Sequence, residues 1–440
     1  MLAALAAWST VGFLLTVERE ALAQDERTLT IAAVMTMARE RGTDVREARG
    51  VAQVAEAQVS AAYGGYLPSA TARATASDGW QRANVVTRGG PLLGVTNSTT
   101  HGEVGGTVSW TAWDSWRTPS NVASARATFR AAEHRVTAAS QSTAAMAAQD
   151  FLDVVFADAR AEVARATVKI RERHSALARG LVVAGIRPPV EEARARVELE
   201  AARADVIALE SLSAQNKVRL ATLLQLDPTT SFKLVRPAVF PTVTEDAHRA
   251  EAQAIATKPE LRAVHEDVTA REEAVSAANA ARLPTINLSL SGAMTASRND
   301  DDPRFLQGRN ATASISLSVP LFDWTVWSRP AIERGSLAVM QARANAETAR
   351  VRGEAAQSAY RTHASRALVE QARKAAEVAA ATLAVVESRY QGGLASPLEL
   401  LDSGTSDAVA RRKLVEAELE LASATVQVLA ATGRLSELER

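Results

Sequence analysis

The chain has 440 residues, of which 50 are Lys or Arg and 50 are Asp or Glu, so its formal net charge is zero. Nucleic-acid binding usually needs a basic surface, so we expect no nucleic-acid partner. Cysteine is absent, which excludes disulfides, thiolate metal sites and cysteine nucleophiles. Apolar residues reach 47% while aromatic residues reach only 4%, a balance that favours closely packed helices over a large globular core.

The N-terminal segment has the features of a signal peptide. Residues 2–17 are largely apolar, and Ala21, Leu22 and Ala23 form a small-x-small cleavage site before Gln24. No basic segment precedes the apolar run, and residues 18–20 (ERE) separate it from the cleavage site. The alternative is an uncleaved anchor, for which about 16 apolar residues are short. We expect residues 1–23 to be removed from a periplasmic, secreted or outer-membrane protein.

The rest of the chain contains an internal duplication. YLPS at 66–69 recurs as RLPT at 282–285, and WTAWD at 110–114 corresponds to VPLFD at 319–323. AGI at 184–186 likewise corresponds to GGL at 392–394. Because the matches keep their order at a period of roughly 210 residues, they predict two structural repeats. We assign residues 24–235 to the first and 236–440 to the second, each with a helix, two strands, a very long helix and a further helix.

Heptad spacing predicts the long helices. Neither Pro nor Gly occurs between Pro119 and Arg179, a span of about sixty residues or roughly 90 Å of helix. Apolar residues recur every seven positions along it, first at Val122, Phe129 and Val136, and later at Phe156, Val163, Ile170 and Leu177. Such spacing is typical of a helix packed against neighbours along its whole length.

Four shorter segments alternate with a period of two. In the second repeat, Ile286, Leu288 and Leu290 alternate with polar residues, as do Ile315 and Leu317. Residues 69–80 and 103–113 show weaker versions of the same pattern. The pattern predicts strands with one apolar and one small polar face. Lengths of about ten to twelve residues fit a tilted strand that crosses an outer membrane.

Aromatic residues gather at the predicted strand ends, where a membrane-interface belt would need them. They are Trp80, Trp110, Trp113, Trp116, Phe322, Trp324 and Trp327. The alternative is that they form the core of a small sandwich. Four strands cannot close a barrel, and open edges in lipid would leave backbone groups unpaired. We therefore expect several chains to share one barrel.

This layout resembles the TolC-like outer membrane efflux family, the outer membrane factors of tripartite efflux and type I secretion systems. The resemblance covers about residues 29–435 and rests on LP at 67–68 and 283–284, VPLFD at 319–323 and YQGGLASPLELLD at 390–402. It implies a mainly α fold with a small β part, in which three chains build one twelve-stranded outer-membrane β-barrel. Their antiparallel coiled-coil helices would form a periplasmic α-barrel.

The resemblance also implies function and partners. The homotrimer would passively conduct substrates, in contact with outer-membrane lipid, a periplasmic adaptor protein and an inner-membrane pump. Its place would be the outer membrane of a Gram-negative cell, with a long periplasmic extension. No cofactor and no enzymatic activity are implied.

A constriction at the periplasmic tip is a further implication of the same resemblance. It is expected where Gly180 to Pro189 and Gly392 to Pro397 interrupt the helices. The implied gate residues are Glu399, Asp402, Glu191, Arg196 and Tyr390. Three copies of Glu399 and Asp402 would form acidic rings, which select cations in other pores. Ala395 departs from the pattern, because some relatives have a basic residue there. The alternative is that the carboxylates merely favour helix N-termini.

Other signals in the sequence are weaker. The histidines lack metal-ligand spacing, and residues 300–302 (DDD) form either a solvated loop or a cation site. No catalytic motif stands in a suitable context. We predict an outer-membrane channel subunit. The alternative function is a periplasmic coiled-coil scaffold without a pore, which would be soluble without detergent.

Overall fold

A computed structural model describes residues 27–86, 92–230, 232–236, 241, 243, 246–299 and 302–439. The expected signal peptide and residues 300–301 of the acidic loop lie outside the described residues. The signal peptide and the cation site in the loop therefore stay predictions.

The described chain is mainly helical and passes twice through the same series of elements. The first series is β1 (Arg27–Leu29), α1 (Ile31–Arg41), α2 (Thr43–Tyr63), β2 (Ser69–Val86), β3 (Leu92–Trp113), α3 (Arg117–Val183) and α4 (Pro189–Leu223). The second is β4 (Phe232–Leu234), α5 (Ala247–Thr257), α6 (Pro259–Ala280), β5 (Thr285–Asn299), β6 (Asp302–Ser318), α7 (Trp324–Gln391) and α8 (Pro397–Ala431). The mainly α fold with a small β part is thus confirmed, whereas the repeat boundary at residues 235 and 236 stays a prediction.

The two long helices dominate the molecule. Helix α3 has 67 residues and α7 has 68, so each is about 100 Å long at 1.5 Å per residue. Helix α3 packs against α4, α7 packs against α8, and α3 also packs against α8, which joins the two helical hairpins. No helix in the described part of the chain has both the length and the apolar character needed to cross a membrane.

Burial along α3 departs from the predicted heptads in its second half. Leu177 belongs to the predicted apolar series but is 39% exposed, whereas its neighbour Ala178 is buried. Arg171 is also buried, although its neighbour Ile170 is the residue that the predicted apolar series places on the packed side. A straight helix drifts by about 20° per heptad relative to a strict seven-residue repeat. The buried stripe has therefore moved by one residue toward the far end of α3.

The main hydrophobic core lies halfway along α3. Phe151, Leu152 and Phe156 are fully buried there, against residues of α1, of the C-terminal end of α4 and of α8. The short strands β1 and β4 pair in parallel beside it. This core therefore packs the middle of the long helices together.

The strands β2, β3, β5 and β6 form one antiparallel sheet in the order β2-β3-β5-β6. They have 18, 22, 15 and 17 residues, more than the predicted ten to twelve. The pairing of β2 with β3 continues to Val86 and Leu92, beyond the alternating segments on which the predicted lengths rested. Strands β2 and β6 are the two edges of the sheet.

The two faces of the sheet differ in chemistry, as the alternation predicted. On one face, Ser69 and Ser109 are joined by a hydrogen bond of 2.7 Å between their Oγ atoms, and so are Ser289 and Ser314. On the other face, Trp110 lies opposite Leu288, which lies opposite Ile315. Ile315 is 77% exposed. An apolar face of this kind needs a covering that the single chain does not provide.

Candidate functional site

The two helical hairpins end in the same type of turn at the end of the molecule opposite to the sheet. Gly185 and Gly393 have φ of 72° and 76°, in the left-handed region that glycine adopts without strain. The amide of Ile186 donates to the carbonyl of Leu181 over 3.0 Å, and that of Leu394 donates to the carbonyl of Arg389 over 2.8 Å. These are Schellman turns. Prolines then begin α4 and α8, so both hairpins turn at equivalent positions.

A partly open cavity of about 330 Å³ lies between the two hairpins, just behind these turns. Each of the four long helices contributes to its walls, among them Arg171 and His174 from α3, Glu191 and Arg194 from α4, Tyr390 from α7 and Leu401 from α8. We call this space the tip cavity. It lies where the first and second repeats meet, so any movement between the hairpins would change its shape.

Tyr390 and Glu191, two of the predicted gate residues, both line the tip cavity. Glu191 also lies 3.7 Å from the guanidinium of Arg187, which is four residues earlier in the turn before α4, measured from Oε1 to Nη1. Burial raises the pKa of the Tyr390 hydroxyl, while Arg187 lowers it and Glu191 raises it. The phenol is therefore neutral at physiological pH and can act as a hydrogen-bond donor in the cavity.

The other three predicted gate residues lie outside the tip cavity. Glu399, Asp402 and Arg196 are exposed on the surface of the single chain. Among the described residues, neither Glu399 nor Asp402 has an ion-pair partner. The structure thus brings together two of the five predicted residues and leaves the acidic pair exposed to solvent.

Arg187, Arg171 and His174 are among the residues of the tip cavity that were not predicted as site residues. Arg187 follows the turn at Gly185, and its position could be inferred from the repeat match. Arg171 and His174 carry no motif, and Arg171 falls one residue away from the predicted apolar stripe. Only the packing of α3 against α8 places these two side chains in the cavity.

The first turn of α8 is held by a side-chain cap. Ser396 Oγ accepts a hydrogen bond from the backbone amide of Glu399 over 3.2 Å. We expect Ser396→Ala to destabilise this turn by about 1 kcal/mol, and hence to speed amide exchange there about fivefold. Hydrogen exchange measured by mass spectrometry on the peptide around Glu399 tests this. Ser396→Asn keeps a capping oxygen and should exchange like wild type; equal exchange in all three proteins would contradict the role of the cap.

The aromatic residues fall into two places. Six of the seven lie where the sheet meets the helices, namely Trp110, Trp113, Trp116, Phe322, Trp324 and Trp327. At this junction Trp110 Nε1 donates to the carbonyl of Tyr66 over 3.0 Å, and the guanidinium of Arg282 lies 5.1 Å from the ring centroid of Trp327. Trp80 is different, because it lies within β2 opposite Ser98. The expected placement at strand ends is therefore wrong for Trp80.

Comparisons with known proteins identify relatives for nearly all of the described chain. The family described as Outer membrane efflux protein matches residues 34–225 and 252–434. The chain is 26% identical over 425 residues to the outer membrane efflux protein BepC of Brucella suis, which covers 92% of this chain and 86% of BepC. It is 27% identical over 342 residues to protein CyaE of Bordetella pertussis, covering 75% and 70%.

A solved structure shares the fold. The crystal structure of a membrane protein from Pseudomonas aeruginosa superposes with a TM-score of 0.79 at 21% identity, covering 92% of this chain and 93% of that one. The common fold therefore extends over both helical hairpins and the four-stranded sheet.

Proposed function

Because the chain belongs to the outer membrane efflux protein family, whose members are outer-membrane channels of tripartite systems and not enzymes, we propose that three copies of it form one continuous conduit. The chain is a channel subunit of the Gram-negative outer membrane, and its long helices extend into the periplasm. The proposal concerns how its surfaces build that channel and where the channel closes.

The four-stranded sheet supports the proposal for the part of the channel that spans the membrane. It has two edge strands and one exposed apolar face. Three copies joined edge to edge, β6 to β2, would pair every edge and close a twelve-stranded barrel. The apolar face with Leu288, Leu290 and Ile315 would then face lipid, and the serine and threonine face would line the lumen. The aromatic junction would lie at the periplasmic interface.

The exposed gate carboxylates support a constriction at the tip. Glu399 and Asp402 lie one helical turn apart at the start of α8. In a trimer they would form two acidic rings at the periplasmic mouth of the conduit, which would favour cations there. Tyr390 and Glu191 would hold the two hairpins of each chain together, and Arg196 on the outer side of α4 would take part in contacts between chains.

The outermost turns support an interaction with the adaptor. Val183 is 81% exposed and Leu394 is 74% exposed, and both lie on the hairpin turns beside further exposed apolar residues such as Ile186. Apolar patches of this kind are typical of protein interfaces. We propose that the turns bind the periplasmic adaptor, which connects the channel to the inner-membrane pump that supplies energy.

Planar-bilayer recording of the detergent-purified protein tests the channel. We expect stable, cation-preferring single channels, and we expect the protein to need detergent to remain monodisperse. A folded protein that stays soluble without detergent and never inserts would contradict the proposal. That result would instead support a periplasmic scaffold without a pore.

A further inference from the structure

We propose that the tip cavity binds a small oxyanion, such as inorganic phosphate or sulfate, which bridges the two helical hairpins of one chain. The binding site is a property of the single chain. Its effect on conduction rests on the function proposed above, because the bridge would hold the tip in its closed arrangement.

The main observation behind the proposal is the buried guanidinium group of Arg171, in which one donor nitrogen has no acceptor among the described residues. Arg171 is only 6% exposed. Its Nη2 donates to Thr405 Oγ1 on α8 over 2.8 Å and lies 4.0 Å from Glu198 Oε2 on α4. Its Nη1 is buried and has no hydrogen-bond partner among the described residues. A guanidinium can only donate, and leaving a buried charged donor without an acceptor is costly. The missing partner must therefore be an acceptor.

A second buried polar atom lies near the first, and it can donate when the imidazole carries a proton on Nε2. His174 Nε2 is also buried and without a partner in the described part of the chain. A Cβ placed on Gly404 of α8 would lie 3.7 Å from His174 Cε1 and 3.8 Å from Arg171 Nη1. Both side chains thus approach the same point of α8, where Gly404 leaves room for one methyl group.

The charge of the lining favours an anion over a cation. Three guanidinium groups, those of Arg171, Arg187 and Arg194, face two carboxylates, those of Glu191 and Glu198. Oxyanions accept bidentate, charge-assisted hydrogen bonds from guanidinium groups. A cation would meet a buried arginine instead, and the Coulomb repulsion between them would be strong at this depth.

Protonation of His174 should strengthen the binding. Burial and the neighbouring Arg171 lower the pKa of its imidazole, and Arg173 lowers it further, whereas Glu387 on α7 raises it. The ring is therefore neutral at physiological pH. Since a bound anion stabilises the protonated ring, affinity should rise as the pH falls toward the pKa of His174 and should stay flat above it. The carboxylates of Glu191 and Glu198 on α4 also face the cavity.

Calorimetric titration of the full chain in detergent tests the site, with inorganic phosphate as the probe. We expect saturable binding at millimolar phosphate or below, weakened at least tenfold by Arg171→Gln. Gly404→Ala adds a methyl group in van der Waals contact with both side chains and keeps every charge. It therefore tests the site even if Arg171→Gln does not fold. Arg203→Gln is the matched control, because it removes one exposed arginine from α4 and should bind like wild type.

Sulfate is the probe for the pH series, because its charge is constant over about pH 5 to 8, the range in which histidine titrates. We expect tighter binding at the acid end for wild type and no such change for His174→Gln. Absence of saturable binding, or equal affinity in wild type, Arg171→Gln and Gly404→Ala, would overturn the proposal. A protein that forms channels but binds no anion contradicts the site alone, whereas one that binds anion but forms no channel contradicts the proposed function alone.

Discussion

Replacing Leu290 with arginine is expected to abolish assembly of the channel in the outer membrane. Leu290 is 57% exposed on the apolar face of β5, near the middle of the apolar series between Ile286 and Met294. An arginine at the lipid-facing midplane of a barrel costs about 2–4 kcal/mol in each chain, and the proposed trimer contains three such sites. We expect at least a tenfold loss of heat-resistant oligomer from outer-membrane fractions, measured by semi-native electrophoresis and immunoblotting.

Ser291→Arg is the matched control for Leu290→Arg. Ser291 is the next residue of β5, so its side chain is on the opposite face, opposite Thr107 of β3 and Thr312 of β6. In the proposed barrel this face lines a lumen filled with water, where an arginine stays solvated. Ser291→Arg should therefore assemble nearly normally. Equal assembly of the two variants, or a greater loss for Ser291→Arg, would reverse the assignment of the two faces.

The elements of the fold could be predicted because their signals are local. The heptads of α3 place Val122 and Phe156 on its packed side, and both are buried. The alternation in β5 and β6 likewise predicts the two faces of the sheet. In both cases the residues that determine the pattern lie within a few positions of one another in the sequence.

The tip cavity could be predicted only in part, because it depends on contacts between distant residues. Tyr390 and Glu191 lie beside helix breakers that recur in both repeats, and the resemblance to the efflux family implies both residues. Arg171 and Thr405 meet across the interface of α3 and α8, and they are separated by 234 positions in the sequence. No local pattern indicates such a pair. Because the buried stripe drifts along α3, a strict seven-residue repeat also does not predict that Arg171 is buried.

The acidic pair at the start of α8 gives the prediction that bears most directly on the gate. We expect the Glu399→Ala, Asp402→Ala double variant to conduct several times more current than wild type and to lose most of its preference for cations. Each chain contributes two carboxylates, so the proposed trimer would lose both acidic rings at once. Like charges held close together in a narrow pore attract cations and hinder anions, and this selectivity should disappear with the rings.

A control variant with the same change in net charge distinguishes an effect of the acidic rings from an effect of the overall electrostatic field of the protein. Glu47→Ala combined with Glu56→Ala also removes two carboxylates, but both residues lie on α2, in the half of the molecule that carries the sheet. Single-channel conductance and reversal potentials in a salt gradient should be those of wild type for this control. If the Glu399 and Asp402 variant also matches wild type, the pore remains but its constriction lies elsewhere. The narrowest point would then have to be sought among the side chains of Tyr390, Glu191 and Arg187, which line the tip cavity between the two hairpins.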